Sequence, residues 1–359
     1  MRTQAYSGLL PIALAAAAIL ALALSPAFAL HPIISNPPAV GGSDSAILIP
    51  PGADALAAAI EAAGRGGTVI LQAGVHTESS PILITRPVTL AGEPGAVLEA
   101  GGAPSVDYPL LVLPVIHIKN TAMVAIQGIR FRPPAGADGN TAILIEDSNS
   151  VVVAGNTIDD FQFGILNQRG NGAAILNNGI TLTPEVLAGS LPEGHGIVNI
   201  NGRAARINGN RVSGGTFGIW ACDKTGIARN NVVTGNFIGL ILCNVPDGDL
   251  LISGSDTGSS SPAAGWDVRN NLATFNAWGY LVIDGSNNNR LSSNSASNNS
   301  PYDMELTGDT FRFGFFTPAS FENTVTVGGN SNLVIKDCGR KNRIIGSAQI
   351  VDTTTDPCD

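Results

Sequence analysis

Charge is scarce in this 359-residue chain: Asp, Glu, Lys and Arg together make up 13%, about half the usual share of roughly 25%. Aromatic residues account for only 5%. A coiled coil or an ordinary helical bundle needs far more Lys, Glu and Leu, so both are excluded. Positive charge is the scarcer sign, with 19 Lys and Arg against 28 Asp and Glu, a net charge of −9 and a pI near 4.9. That balance argues against a phosphate-binding surface and against nucleic acid as a partner. Cysteine is limited to four residues, all in the second half and without a C-x-x-C spacing, which removes a zinc knuckle or a thioredoxin-like site. Glycine is plentiful, with 43 residues, and the 44% hydrophobic share is ample for a core. Wholesale disorder does not fit such a composition.

A single apolar run approaches membrane-spanning length, from Leu9 to about Leu24, behind the positive Arg2. Ser25-Pro26-Ala27-Phe28-Ala29 follows, and Ala27-Phe28-Ala29 fits the small-x-small cleavage pattern. Residues 1–29 are therefore expected to be a secretory signal, and residues 30–44 a mature N-terminal extension. The alternative is an uncleaved anchor, for which the run is short. Cleavage would leave no stable membrane span and place the protein in the periplasm or outside the cell, where disulfides persist. Cys222, Cys243, Cys338 and Cys358 allow three connectivities.

A short phrase of aromatic or bulky residue, glycine and hydrophobic residue recurs. It reads Phe163-Gly164-Ile165, His195-Gly196-Ile197, Phe217-Gly218-Ile219, Ile238-Gly239-Leu240 and Trp278-Gly279-Tyr280, with Tyr302-Asp303-Met304 a degenerate sixth copy. Glycine spacings are 32, 22, 21 and 40. A second phrase opens on Asn156, Asn178, Asn210, Asn231, Asn271 and Asn294. Four of these stand 8 residues before the next repeat glycine, and Asn178 stands 18 before. The long intervals are thus ordinary units carrying insertions, one between Thr181 and Glu193 and one between Val245 and Ala264.

A unit of roughly 22 residues, with β-branched triplets and Asn or Gly at turns, reads as one coil of a strand solenoid. Stacked coils would let each Asn side chain bond to the next in a ladder. Asn and Gly also tolerate the left-handed backbone of tight corners. Asp54 to Ala63 is the one helix predicted, with Leu56, Ala59, Ile60 and Ala63 on one face, Asp54 as its cap and Gly64 as its stop. A lone helix at this place suits a lid on the open end of the core.

The run Gly67-Thr68-Val69-Ile70-Leu71-Gln72-Ala73-Gly74-Val75-His76, followed by Pro87-Val88-Thr89-Leu90-Ala91-Gly92-Glu93, resembles the opening of pectate-lyase-like right-handed parallel β-helix proteins. The Asn and Gly-Ile phrases resemble the short repeats of NosD-like and carbohydrate-binding or sugar-hydrolysing β-helices. The resemblance implies an all-β, right-handed parallel β-helix of about ten coils over residues 45–350, with an N-terminal capping helix and a tail at 351–359. It implies an extracellular polysaccharide as partner and lyase, epimerase or glycosidase chemistry. The alternative is a non-catalytic scaffold or a NosD-like periplasmic accessory or surface protein. The Asp-Pro-His triplet of alginate C5-epimerases is absent. Of the polygalacturonase-like set the chain has Asp159-Asp160 and Gly194-His195-Gly196, but Asn156-Thr157-Ile158 in place of Asn-Thr-Asp and no Arg-Ile-Lys.

Residues of equal phase stack about 4.8 Å apart on adjacent coils. Cys222 and Cys243 both lie four past their glycine, so they are expected as neighbours, either bonded or as buried thiols; Cys338 and Cys358 would then clip the tail. His195 fills the aromatic slot, either as one rung of a stack or as a proton-transfer group at a cleft edge. Asp303 and Glu305 are i and i+2, so an extended strand would put both carboxylates on one face. Asp223 and Asp284 lie five past their glycines, with Asn244 between them, an acidic strip that could recruit Ca²⁺ as in pectate lyases. No other cofactor is expected. Arg229 and Arg269 share a phase and would face an acidic polymer or pair with Asp267. Trp220 sits two past Gly218 in an apolar row; if the preceding Ile points inward, this row points outward, available for sugar stacking or covered by the insertions, the Phe311–Phe316 stretch or another chain. The sequence leaves that parity, the substrate and the oligomeric state open.

Overall fold

The computed structural model describes residues 46–100, 113–137, 139–182, 194–222, 224–244, 262–312, 315–328, 333–351 and 358. Among them every strand pairing is parallel except for one hairpin, Thr310–Arg312 with Phe315–Thr317. The strands form three long sheets of twelve, ten and eleven strands. The first runs from Ile47–Ile49 to Arg343–Ile345, the second from Gly52–Ala53 to Ser295–Ser297, and the third from Ile82–Ile84 to Gln349–Ile350. The chain visits them in rotation, and each strand pairs with its equivalent one coil later. Val152–Ala154 pairs with Ala174–Leu176 in the first sheet, Thr157–Asp159 with Gly179–Thr181 in the second, and Phe161–Gln168 with His195–Ile200 in the third. This is a right-handed parallel β-helix, as expected. The predicted signal (1–29) and extension (30–44) lie outside the described residues.

The repeat glycine is required by crowding, not by a left-handed backbone. None of Gly164, Gly196, Gly218, Gly239 and Gly279 has a positive φ. A Cβ on Gly164, Gly218 or Gly239 would stand 2.5–2.6 Å from the carbonyl oxygen of the repeat glycine one coil on. The phrase also breaks strict alternation. Ile165, Ile197, Ile219, Leu240, Tyr280 and Met304 face the core, whereas Phe163 and Ile238 on one side and Leu166, Val198, Ile241 and Leu281 on the other belong to a second apolar cluster. Gly and the following residue therefore both face inward.

The Asn series forms the expected ladder. The Nδ2 and backbone N of Asn156 both donate to Oδ1 of Asn178 at 3.0 Å, and the pattern continues through Asn210, Asn231 and Asn271 to Asn294. Each Nδ2 also reaches a main-chain carbonyl of the preceding coil, as Asn210 does to Ile175. The left-handed residue is the one before each ladder Asn: Gly155, Asn177, Gly209, Asn230, Asn270 and Ser293. Two further ladders, Asn236–Asn276–Asn299 and Asn289–Asn323–Asn342, line other corners.

The helix spans Leu56–Ala63 and buries Leu56 and Ile60 against the first coils, with Gly64 as its stop. Its cap differs from the expectation. Asp54 has φ 51 and accepts from Ser79 N and Oγ instead. Glu78, 22 residues on, takes the Leu56 N–H at 2.9 Å. A carboxylate from the neighbouring coil thus satisfies a free N–H at the helix start.

Candidate functional site

The outer face of the third sheet carries the slots of His195, Trp220 and Glu305. The inward position of Ile219 settles the parity of Trp220: it points outward and packs on a buried cluster that includes Leu166, Val198, Ile241 and Leu281. His195 is a rung in an aromatic stack, 4.7 Å from Phe163 and 5.4 Å from Phe217, with Trp220 edge-on at 5.3 Å. Its Nδ1 is buried without a partner, and burial pushes its pKa down to about 4. A neutral ring wedged between two phenylalanines suits packing.

Cys222 and Cys243 face each other across adjacent strands and are disulfide-bonded, as are Cys338 and Cys358. Arg229 and Arg269 both bind the carboxylate of Asp267, so these two cations hold a surface ion pair. Asp223 and the two insertions lie outside the described residues. Among the described residues, no three His, Cys, Asp or Glu side chains converge to hold a metal ion.

Asp303 and Glu305 do not share a face. Asp303 occupies the glycine phase: its carboxylate accepts from Asn299 Nδ2 at 2.8 Å and from Val334 N at 3.1 Å. Glu305 occupies the outward row, where it accepts from Trp278 Nε1 at 2.7 Å and stands opposite Lys336. The i, i+2 rule fails here because the Gly phrase places two successive residues inward.

Sequence reasoning missed a charged cluster on the same outer face in earlier coils. Glu146 is 5% exposed and accepts from His117 Nε2 at 2.8 Å, Lys119 Nζ at 3.1 Å and Arg169 Nη2 at 3.0 Å. The His117 hydrogen bond, against the penalty of burial and with help from Lys119, holds its pKa down to about 2. These residues precede or flank the first Gly phrase, so no phase could be assigned to bring them together.

A groove of ≈ 670 Å³ opens at the corner between the third and first sheets. Asn244, Asp284, Asp309, Glu322, Arg340 and Lys341 line its polar side, and Pro262, Pro318 and Phe321 its apolar side. Asp284, a sequence candidate, sits at φ 59 and is 9% exposed. Burial, partly offset by the Asn244 N–H, raises its pKa to about 6. Asp309 is the opposite case: the Ala319 N–H, at 3.0 Å, and the Arg340 guanidinium hold it below the ordinary carboxylate range. Lys341 Nζ lies 3.6 Å from Glu322 Oε1. Asp309 was not singled out because its partners, Ala319 and Arg340, lie beyond the hairpin at 310–317, which interrupts the coil count. One carboxyl raised by burial and one lowered by its hydrogen bonds line the same groove, a combination suited to acid–base work.

No family model matches the chain, and no curated protein matches it in sequence. Solved structures do match. The mannuronan C-5 epimerase AlgE4 A-module of Azotobacter vinelandii aligns at 16% identity and TM-score 0.54, over 83% of this chain and 92% of that one. A hyperthermoactive exopolygalacturonase from Thermotoga maritima aligns at 12% identity and TM-score 0.52, over 87% and 91%. Identities this low carry the fold alone, a right-handed parallel β-helix.

Proposed function

We propose that the protein is exported and processes an extracellular polysaccharide in the Asp284 groove, by acid–base cleavage of the glycosidic bond. The observation that carries this reading is the pair of groove carboxyls with pKa values displaced in opposite directions. Asp284, protonated up to about pH 6, is the general acid that gives a proton to the leaving oxygen. Asp309, held below the ordinary carboxylate range by the Ala319 N–H and Arg340, activates water or acts as nucleophile. The apolar wall of Pro262, Pro318 and Phe321 offers a surface for a sugar face. Export rests on the signal-like amino terminus and fits the two disulfides.

The test is release of reducing ends from a polysaccharide panel by the full-length protein, beside Asp284→Asn and Asp309→Asn. Turnover by the wild type that both variants lose supports the reading, and turnover that both retain sinks it. A second reading is a non-catalytic scaffold or accessory protein with a partner on the outer face of the third sheet. The partly buried aromatics Phe217, Trp220, Phe237 and Trp278 packed on that face favour it. Binding without turnover across the panel would select it.

A further inference from the structure

We infer that the outer face of the first sheet is a docking strip for an acidic polysaccharide, whose carboxylates meet a row of arginines laid along the solenoid axis. This surface lies outside the catalytic reading of the Asp284 groove and does not depend on it. The inward positions of Ile207, Ala228, Val268, Leu291 and Val325 turn their strand neighbours outward. In all twelve strands of this sheet the charged residues are Arg206, Arg229, Asp267, Arg269, Arg290 and Arg343. Five cations thus face one anion, in a chain whose net charge is −9.

The strand register lines these residues up. Five successive pairings lead from the strand of Arg206 to that of Arg343, a span of about 24 Å at the spacing of parallel strands. Arg229 and Arg269, which the sequence offered for an acidic polymer, share the carboxylate of Asp267, so one of their two charges is left over. Arg206, Arg290 and Arg343 are exposed and, among the described residues, have no ion-pair partner. A guanidinium fork matches a carboxylate with two parallel hydrogen bonds. Uncharged polar residues stand between the arginines: Thr324 separates Arg290 from Arg343, and Ser292 and Thr326 follow Arg269. A hollow of ≈ 390 Å³ beside Arg290 is lined by Asn288, Thr324 and Thr326, donors and acceptors for sugar hydroxyls. Its one carboxylate, Glu322, has Lys341 3.6 Å away. A single-stranded nucleic acid is poorly served, because the strands from Ala205–Asn208 onward carry no aromatic ring on which a base could stack.

Affinity electrophoresis of the full-length protein tests the strip, in gels cast with polygalacturonate, neutral dextran or poly(dT), at low and high salt. Polygalacturonate should retard the protein at low salt and release it at high salt. The triple variant Arg206→Glu, Arg290→Glu, Arg343→Glu should weaken that retention at least about tenfold, with its Tm unchanged. Arg211→Glu, on the second sheet, is the control and should keep it. Asp284→Asn should keep it too, which separates the strip from the groove. No retardation by polygalacturonate, retention that survives the triple variant, or retention lost in Asp284→Asn overturns the inference. Retardation by dextran or poly(dT) as strong as by polygalacturonate overturns it as well. The groove reading is judged separately, by release of reducing ends.

Discussion

The carbonyl oxygen of Gly239 occupies the place where a side chain on Gly218 would begin: a Cβ there would stand 2.5 Å away, with Val233 Cγ1 at 3.2 Å. Gly218→Ala therefore forces two coils apart without straining any dihedral. Its expected cost is about 1–3 kcal/mol, as in other overpacked interiors. Gly235→Ala is the informative contrast, since its Cβ would meet nothing within 4 Å but its φ is +64; there the cost of about 1–2 kcal/mol is backbone strain alone. Denaturant titrations of both variants check the two values.

Asn210→Ala removes a rung from the middle of a ladder. Asn178 N and Nδ2 lose their acceptor, and the Ile175 carbonyl loses its donor. Buried polar groups left alone cost about 1–3 kcal/mol each. The variant should lose several degrees of Tm, and hydrogen exchange should quicken first in the coils on either side.

Asp284 makes stability and activity respond to pH in the same direction. Its unfolded carboxyl titrates near 3.8 and its folded one near 6. Between those values the folded state holds the extra proton, so this group's contribution to stability falls as pH rises and is lowest above about 6. Asp284→Asn should be more stable than the parent at neutral pH, by at most about 2–3 kcal/mol. The catalytic reading adds that parent turnover falls as pH climbs through about 6. A pH series of melting curves tests the first statement, and a pH–rate profile the second.

Glu146 shows the opposite slope. Its pKa is held down to about 2, so the stability it lends is present above its ordinary value of 4.5 and is lost as pH falls toward 2. Glu146→Ala strands His117, Lys119 and Arg169 together, at a cost of about 3 kcal/mol at neutral pH. Its acid-unfolding curve should be flatter than the parent's between those two pH values.

His195→Phe separates packing from catalysis. The slot holds Phe in the coils before and after it, and the substitution removes a buried nitrogen with no partner. Stability should hold or rise by about 1 kcal/mol, and turnover should be unchanged. A fall in turnover at constant Tm would restore a proton-transfer role.

The coil was legible because every turn of the solenoid solves the same steric problem, so Gly and Asn recur at fixed phase. Cys222 and Cys243 could be paired on paper for that reason. Trp220 and Glu305 were harder, because the two successive inward residues of the Gly phrase defeat a period-2 reading. The helix cap by Glu78 and the meeting of His117 with Glu146 involve coils that precede the repeat phrase, where phase has no anchor. Asp309 meets Ala319 and Arg340, which follow an inserted hairpin that resets the count. What escaped the sequence was thus the contacts formed where the repeat is absent or interrupted.

Each ladder Asn donates its backbone N–H and one Nδ2 hydrogen to the Asn of the coil ahead and accepts the same pair from the coil behind, so the series has a direction and no privileged member. A duplicated turn spliced between Asn210 and Asn231 would find an acceptor waiting on one side and donors on the other. The molecule is in this sense a polymer whose monomer is the coil. Its length can change in whole steps without any new joint, while the helix at one end and the Cys338–Cys358 staple at the other travel with the ends they close.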